Sequence, residues 1–230
     1  LNEMITDIIK FNEKNTNISL EYIFVNDGSD DKTKKILEEF ILKYKNNKIE
    51  YLLVNLNKNE GKGKALKEGV KIANKNWILT IDVDISVSLI QIYDWIDRNY
   101  LDLQNEIYFG SRNLTSSEVD LKQYRKILGL IFSFLLKKLF GIQIKDTQCG
   151  FKLYSKKYAK NIFKNLKTNG YAHDIELILL LKFKKIKIVE LPINWVHKEK
   201  GKVNILTDPI KMLIDIILIK FRYAFKRKKS

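Results

Sequence analysis

Proline and cysteine are almost missing from this sequence, with two prolines and one cysteine in 230 residues. So little proline leaves no proline-rich linker, and one continuous domain is the default reading. A lone Cys149 forms no intramolecular disulfide, which excludes a cystine-stapled scaffold and fits a reducing compartment. Histidine is equally scarce. His173 and His197 have no cysteine or second histidine at ligand spacing, so they suggest no zinc site. No apolar run is long enough to span a bilayer: Ile127 to Leu136 is ten residues, against the roughly 20 a spanning helix needs. No secretory signal is read either, so the sequons at Asn17 and Asn113 carry no weight. Acidic residues are in deficit, 27 against 42 basic ones, giving +15. That excess calls for an anionic partner: nucleic acid, an anionic membrane or a phosphorylated substrate. Codon usage rich in lysine, asparagine and isoleucine would produce the same excess. Nucleic acid is disfavoured, because there is no zinc spacing, RNP-like aromatic strand or helix-turn-helix pattern.

What is present is a folded chain, 45% hydrophobic, with length for one sizeable core or one core plus a small appendage. The spacing predicts a helix over Leu1 to Lys14, a strand over Leu20 to Val25 and a helix from about Asp31. A strand over Ile49 to Val54, a helix over Lys64 to Ala73 and a strand over Trp77 to Ile81 follow, then a strand at Ile107 to Phe109. This alternation predicts right-handed βαβ units and a doubly wound, mostly parallel α/β sheet. Further on come helices over Tyr124 to Phe140, Lys156 to Phe163 and His173 to Phe183. A strand over Ile186 to Ile193 and a helix from Asp208 to Arg227 complete the pattern, while Asp146 to Tyr154 mixes turn and strand signals. The chain opens on Leu1 rather than Met and on a helix with no strand before it, so an N-terminal piece is expected to be missing.

Three segments carry chemistry. Asp82-Val83-Asp84 directly follows a strand, where open α/β sheets bind ligands, and two carboxylates one residue apart can share a hard divalent cation holding a diphosphate. Chance and solvated loops also supply D-x-D. Asp27, in the turn Asp27-Gly28-Ser29, occupies the matching place after an earlier strand and can accept from a base or ribose; helix capping is the competing role. Gly61-Lys62-Gly63-Lys64 opens a helix, with glycines that admit a phosphate and lysines that supply charge, although it lacks Walker A spacing.

In order, VNDGSDDKT (25–33), GKGKA (61–65), Asp82 to Asp84 and Gly110 to Arg112 resemble the family 2 glycosyltransferases of GT-A fold. DTQCGFKLY (146–154), YAHDIEL (171–177), Asn194-Trp195 with Gly201-Lys202, and DIILIKFRY (215–223) look like the dolichyl-phosphate β-glucosyltransferases. The resemblance implies an inverting transfer of a hexose, glucose from UDP-glucose, to a polyprenyl phosphate. It implies Asp27, Gly28, Ser29, Lys62, Gly63 and Asp82 at the nucleotide, Asp82 and Asp84 on Mg²⁺ or Mn²⁺, and Arg112 and Arg125 at the acceptor phosphate. Asp174 is the implied catalytic carboxylate. The family opens with a strand ending in a P-x-Y-N-E-like motif, which this chain starts just past, and carries Gln where this chain has Ser86.

Chemistry separates two acceptors. A phosphate monoester is already ionised near neutral pH and needs no strong base. A glycan hydroxyl needs a carboxylate base, and Asp174 and Glu176, two apart on a helix, cannot both face one site. A truncated, non-catalytic nucleotide- or partner-binding fragment is the reading outside enzymology. Residues 1–203 are expected to form the GT-A domain and 204–230 an amphipathic, basic helix and tail lying on an anionic membrane, peripheral on its cytoplasmic face. Asp208, Lys211, Asp215 and Arg222 form one polar stripe on that helix, and Lys226 to Lys229 add a polybasic run. A core helix with a solvated tail is the alternative, against which stands the apolar Ile127 to Leu136 run beside Arg125 and Lys137-Lys138.

Overall fold

A computed structural model describes residues 1–14, 18–45, 49–102, 104–120, 123–198 and 208–224. Its first half alternates as expected: α1 (Asn2–Lys14), β1 (Leu20–Asn26), α2 (Thr33–Tyr44), β2 (Ile49–Asn55), α3 (Lys62–Ile72) and β3 (Trp77–Thr80). β1 and β2 run parallel from Leu20↔Ile49 to Asn26↔Asn55. α1 buries Met4, Ile8 and Phe11, one helical face, in a cluster with Phe24 of β1 and Leu37 and Phe40 of α2. α3 starts two residues before the expected Lys64, because Gly61, at φ 103, makes the turn into it.

The second half contains α4 (Gln91–Asp97), β4 (Ile107–Ser111), β5 (Glu118–Val119), α5 (Gln123–Phe140), β6 (Lys152–Ser155) and α6 (Lys156–Asn165). It closes with α7 (His173–Phe183), β7 (Val189–Pro192), β8 (Asn194–Trp195) and α8 (Asp208–Ala224). One sheet has the order β3-β6-β4-β7. β6 is antiparallel to both β3 and β4, whereas the pairs β4–β7, β5–β8 and β1–β2 are parallel. The mostly parallel α/β reading therefore holds, with β6 as the antiparallel insertion. It carries the second half of DTQCGFKLY into the middle of the sheet.

α6, α7 and α8 share one core cluster with β4 and with Leu136 of α5. Every residue of α7 from His173 to Leu181 is buried. α8 enters the same cluster through Ile216, Ile219 and Tyr223, and leaves Ile210, Leu213, Ile214, Ile217, Leu218 and Phe221 exposed. No helix among the described residues is long and apolar enough to cross a membrane. Gly201-Lys202, the basic tail Lys226 to Lys229 and Asn17 lie outside the described residues.

Candidate active site

The loops after β1 and β2 are tied together at the carboxyl ends of the two strands. Asn26 and Asn55, paired in register, bond through Asn26 Nδ2 to Asn55 Oδ1 at 3.1 Å, and the Ser29 N–H donates to Asn26 Oδ1 at 3.1 Å. Asp27 accepts the Glu60 N–H on one oxygen and the Gly61 N–H on the other, each at 2.8 Å. The carboxylate thus ties the loops after β1 and β2 together, and its remaining lone pairs are what a ligand could use. Gly28, at φ 62, lies against the Lys58 backbone, where any Cβ would collide. The Gly63 N–H donates to the Asn169 carbonyl at 2.6 Å, so this first-turn donor of α3 already has a protein acceptor. Lys62, in the first turn of α3, lines a cleft. Its Nζ lies 2.5 Å from Asp82 Oδ1, with side chains 27% and 37% exposed. Burial lowers the Lys62 ammonium, but Asp82 and then Asp174 outweigh it and hold the group above its ordinary value.

Asp82 packs flat over Gly150, whose missing Cβ would occupy the carboxylate's place. That contact joins the D-x-D turn to DTQCGFK. Asp84 is exposed and accepts the Ser86 N–H at 3.0 Å. Between them and Ser86, Ile85 has φ 52, a left-handed conformation that a β-branched residue rarely adopts, and its side chain is anchored in the α1–β1–α2 cluster. Asp82 and Asp84 are the residues that could hold a divalent cation. They are hard oxygen donors, and one already pairs with a cation, the Lys62 ammonium. No group of three or more His, Cys, Asp or Glu suited to a metal occurs among the described residues.

Behind Asp82 the cavity is lined by Lys62, Lys152, Tyr154, His173 and Asp174. Lys152 is 2% exposed; its Nζ ion-pairs with Asp174 Oδ1, donates to Thr147 O at 3.3 Å and sits 5.0 Å above the Phe109 ring. His173 Nε2 is 3.3 Å from the same Asp174 oxygen, and its Nδ1 is 2.9 Å from Gly170 O. Burial alone would raise the Asp174 carboxyl, but His173, Lys152 and Lys62 reverse this and hold it below the usual range. Burial lowers His173. Asp174 is therefore a buried carboxylate paired with a buried ammonium. Glu176 turns the other way, to accept from the Lys167 and Thr168 N–H groups, Arg222 Nη1 and the Tyr223 hydroxyl.

A second cleft, also lined by Asp82, passes Ser86 and Cys149 to reach Trp195. Burial pushes the Cys149 thiol up to about 12, so it is a packed residue rather than a nucleophile. Arg112, at the end of β4, grips Asp146 through Nε at 2.7 Å and Nη2 at 2.8 Å and lies 5.7 Å over the Trp195 ring. These donors brace the DTQCGFK loop, and the remaining guanidinium N–H groups are the ones open to an anion. Arg125 lies in the first turn of α5; its side chain is outside the described set.

With this geometry in place, comparison with known proteins decides the family. The chain matches Glycosyl transferase family 2 over residues 1–163. It belongs to that family. The family 2 chain is 34% identical to dolichyl-phosphate beta-glucosyltransferase of Dictyostelium discoideum over 236 residues, covering 97% of this chain and 70% of that protein. With the Homo sapiens dolichyl-phosphate beta-glucosyltransferase the identity is 31%, covering 97% and 70%. Glucosyl-3-phosphoglycerate synthase from Mycobacterium tuberculosis, solved with Mn²⁺, UDP and glucosyl-3-phosphoglycerate, superposes with a TM-score of 0.57 at 15% identity, covering 86% of this chain and 68% of that one. That likeness fixes the fold of the family 2 chain as GT-A.

Residue reading missed four parts of this glycosyltransferase's site: the Asn26–Asn55 step, Gly150, Asp146 as partner of Arg112, and Lys152. A signal for Lys152 existed. It was weak, because alternation puts Lys152 on the face of β6 opposite Leu153, where a lysine ordinarily meets solvent, and only the packing of α7 buries it.

Proposed function

We propose that this family 2 glycosyltransferase moves glucose from UDP-glucose to a polyprenyl, dolichyl-type phosphate, with inversion, at the cytoplasmic face of a membrane. The observation that carries the acceptor is the Lys152–Asp174 pair. The carboxylate a hydroxyl acceptor would need as base is buried against an ammonium. An acceptor phosphate arrives ionised, so its oxygen can attack the anomeric carbon while the bond to the diphosphate oxygen breaks, and no proton has to move. The named activity of relatives 30–34% identical over nearly the whole chain supports the same reading. Asp82 and Asp84 would hold Mg²⁺ or Mn²⁺, which when bound supplies Lewis-acid stabilisation of the leaving diphosphate. Lys62 adds a positive charge beside it, Asp27 to Ser29 hold the nucleoside end, and Arg112 and Arg125 meet the acceptor phosphate. The outward apolar face of α8 and exposed Ile131, Phe134 and Leu135 of α5 are where the lipid surface would be met.

The test incubates the full-length protein with radiolabelled UDP-glucose or GDP-mannose and a polyprenyl phosphate, then extracts into organic solvent. Label from UDP-glucose should enter the lipid phase, Arg125→Lys should mainly raise KM for the lipid, and Asp174→Asn, compared per folded molecule because it also strands Lys152, should cost about tenfold or less. A loss of 10²–10⁴-fold in Asp174→Asn, the scale of a lost general base, with no effect of Arg125→Lys, would replace the lipid phosphate by a hydroxyl acceptor.

A further inference from the structure

The two lysines of the cleft are held differently. Lys152 and Asp174 are 2% and 7% exposed, a pair closed off from solvent. Lys62 and Asp82 are 27% and 37% exposed, and Lys62 stands on a flexible stem in the first turn of α3. Its ammonium lies 2.5 Å from Asp82 Oδ1, on the carboxylate a divalent cation needs, while the Gly150 backbone covers that carboxylate too. Asp84 already accepts the Ser86 N–H. A cation approaching this turn alone therefore meets a charge of its own sign and only two carboxylates. For it to bind, Lys62 must leave Asp82. The other carboxylate lining this cavity among the described residues is Asp174, which Lys152 already neutralises. A nucleoside diphosphate supplies an unmatched anion.

We propose that Lys62 is the resident counter-ion of Asp82 in the donor-free enzyme and surrenders it to a divalent cation when a nucleoside diphosphate arrives to receive the ammonium. Metal and nucleotide then bind synergistically: each raises the affinity of the other by the same factor. Metal without donor is held weakly, and the cleft is charge-matched in both states. This rests on the reading of Asp82 as a metal ligand.

The experiment is a Mn²⁺ titration of the full-length protein, followed by electron paramagnetic resonance of the free ion, with and without UDP. Lys62→Met and Lys62→Gln should each bind Mn²⁺ about three- to tenfold more tightly than wild type without UDP, the size of one partly exposed charge-assisted pair. The enhancement of Mn²⁺ binding by UDP should shrink by the same factor. Lys64→Met removes an equal charge from a side chain paired with Glu68, and should leave Mn²⁺ affinity at the wild-type value. Unchanged or weaker Mn²⁺ binding in both Lys62 variants overturns the proposal, and so does an equal gain in Lys64→Met, which would make it a matter of net charge. Asp82→Asn separates the premise: if it binds Mn²⁺ with UDP as wild type does, the metal assignment itself fails, whereas weakened binding there with unaltered Lys62 variants convicts Lys62 alone.

Discussion

Helices α7 and α8 are both rich in Ile and Leu, yet the fold turns them in opposite senses. α7 is buried on all sides and takes two carboxylates, Asp174 and Glu176, inside with it. α8 buries one stripe of Ile216, Ile219 and Tyr223, with Asp215 and Arg222 half-buried beside it and Lys211 and Lys220 exposed. Arg222 reaches Glu176 at 2.9 Å, and Asp215 stands beside Gly170, where burial raises its carboxyl. Six large apolar side chains of α8 face outward instead. The difference teaches that an apolar face need not be an inward face. Glu176 supplies the fixed partner: it is fully buried, and only a helix bringing Arg222 and the Tyr223 hydroxyl can complete its hydrogen bonds. With Asp215 and Arg222 turned toward α7, the six exposed apolar side chains are the ones the proposed lipid contact would use. The same carboxylate fastens residues 167 and 168, next to the Asn169 carbonyl that receives the Gly63 N–H. The inward anchor of α8 and the donor-side turn are thus two contacts apart.

The contrast can be broken most directly at Glu176. Glu176→Leu removes the acceptor shared by the Lys167 and Thr168 N–H groups, the Tyr223 hydroxyl and Arg222, and should lower unfolding free energy by about 3–5 kcal/mol in urea titrations. A loss below about 1 kcal/mol would mean α8 is held by apolar contact alone. On the outward face the effect should move from stability to binding. Leu213→Glu with Ile217→Glu should change stability by no more than about 0.5 kcal/mol per site, but lower partition onto phosphatidylcholine vesicles at least tenfold, from about 1.5–3 kcal/mol of burial per side chain. Unaltered partition would place the lipid contact elsewhere. The smallest difference is one of pH. Asp174 and Glu176 are both held below their ordinary values of 3.8 and 4.5, Glu176 because its hydrogen bonds with Thr168, Tyr223 and Lys167 outweigh burial. The unfolded chain then binds protons more readily, so their stabilisation is complete above the ordinary carboxylate range and lost as pH falls through the lowered values. Wild type should show a steeper acid loss below about pH 4 than Glu176→Leu. Equal slopes would remove Glu176 from the acid response.

Local order was largely legible. α7 spans the residues the spacing predicts, β1 and β2 differ from expectation by one residue each, and Asp82 stands at the carboxyl end of its strand. These follow from side-chain period and glycine placement, which act over a few neighbours. α4 escaped notice because seven residues are too few to display a helical period. β5 and β8, two residues each, give no alternation to read.

By itself, then, the sequence determined the alternation of strands and helices, the glycine turn before α3, the place of the paired carboxylates and the family. Only the tertiary structure decided which acid faces the cleft, which cation holds it and which side of α8 meets solvent. Asp174 and Lys152 are 22 residues apart, Arg112 and Asp146 34, and Glu176 and Arg222 46. No local preference specifies such pairs. They form because a charge removed from water must find its opposite, and packing determines which partner is within reach.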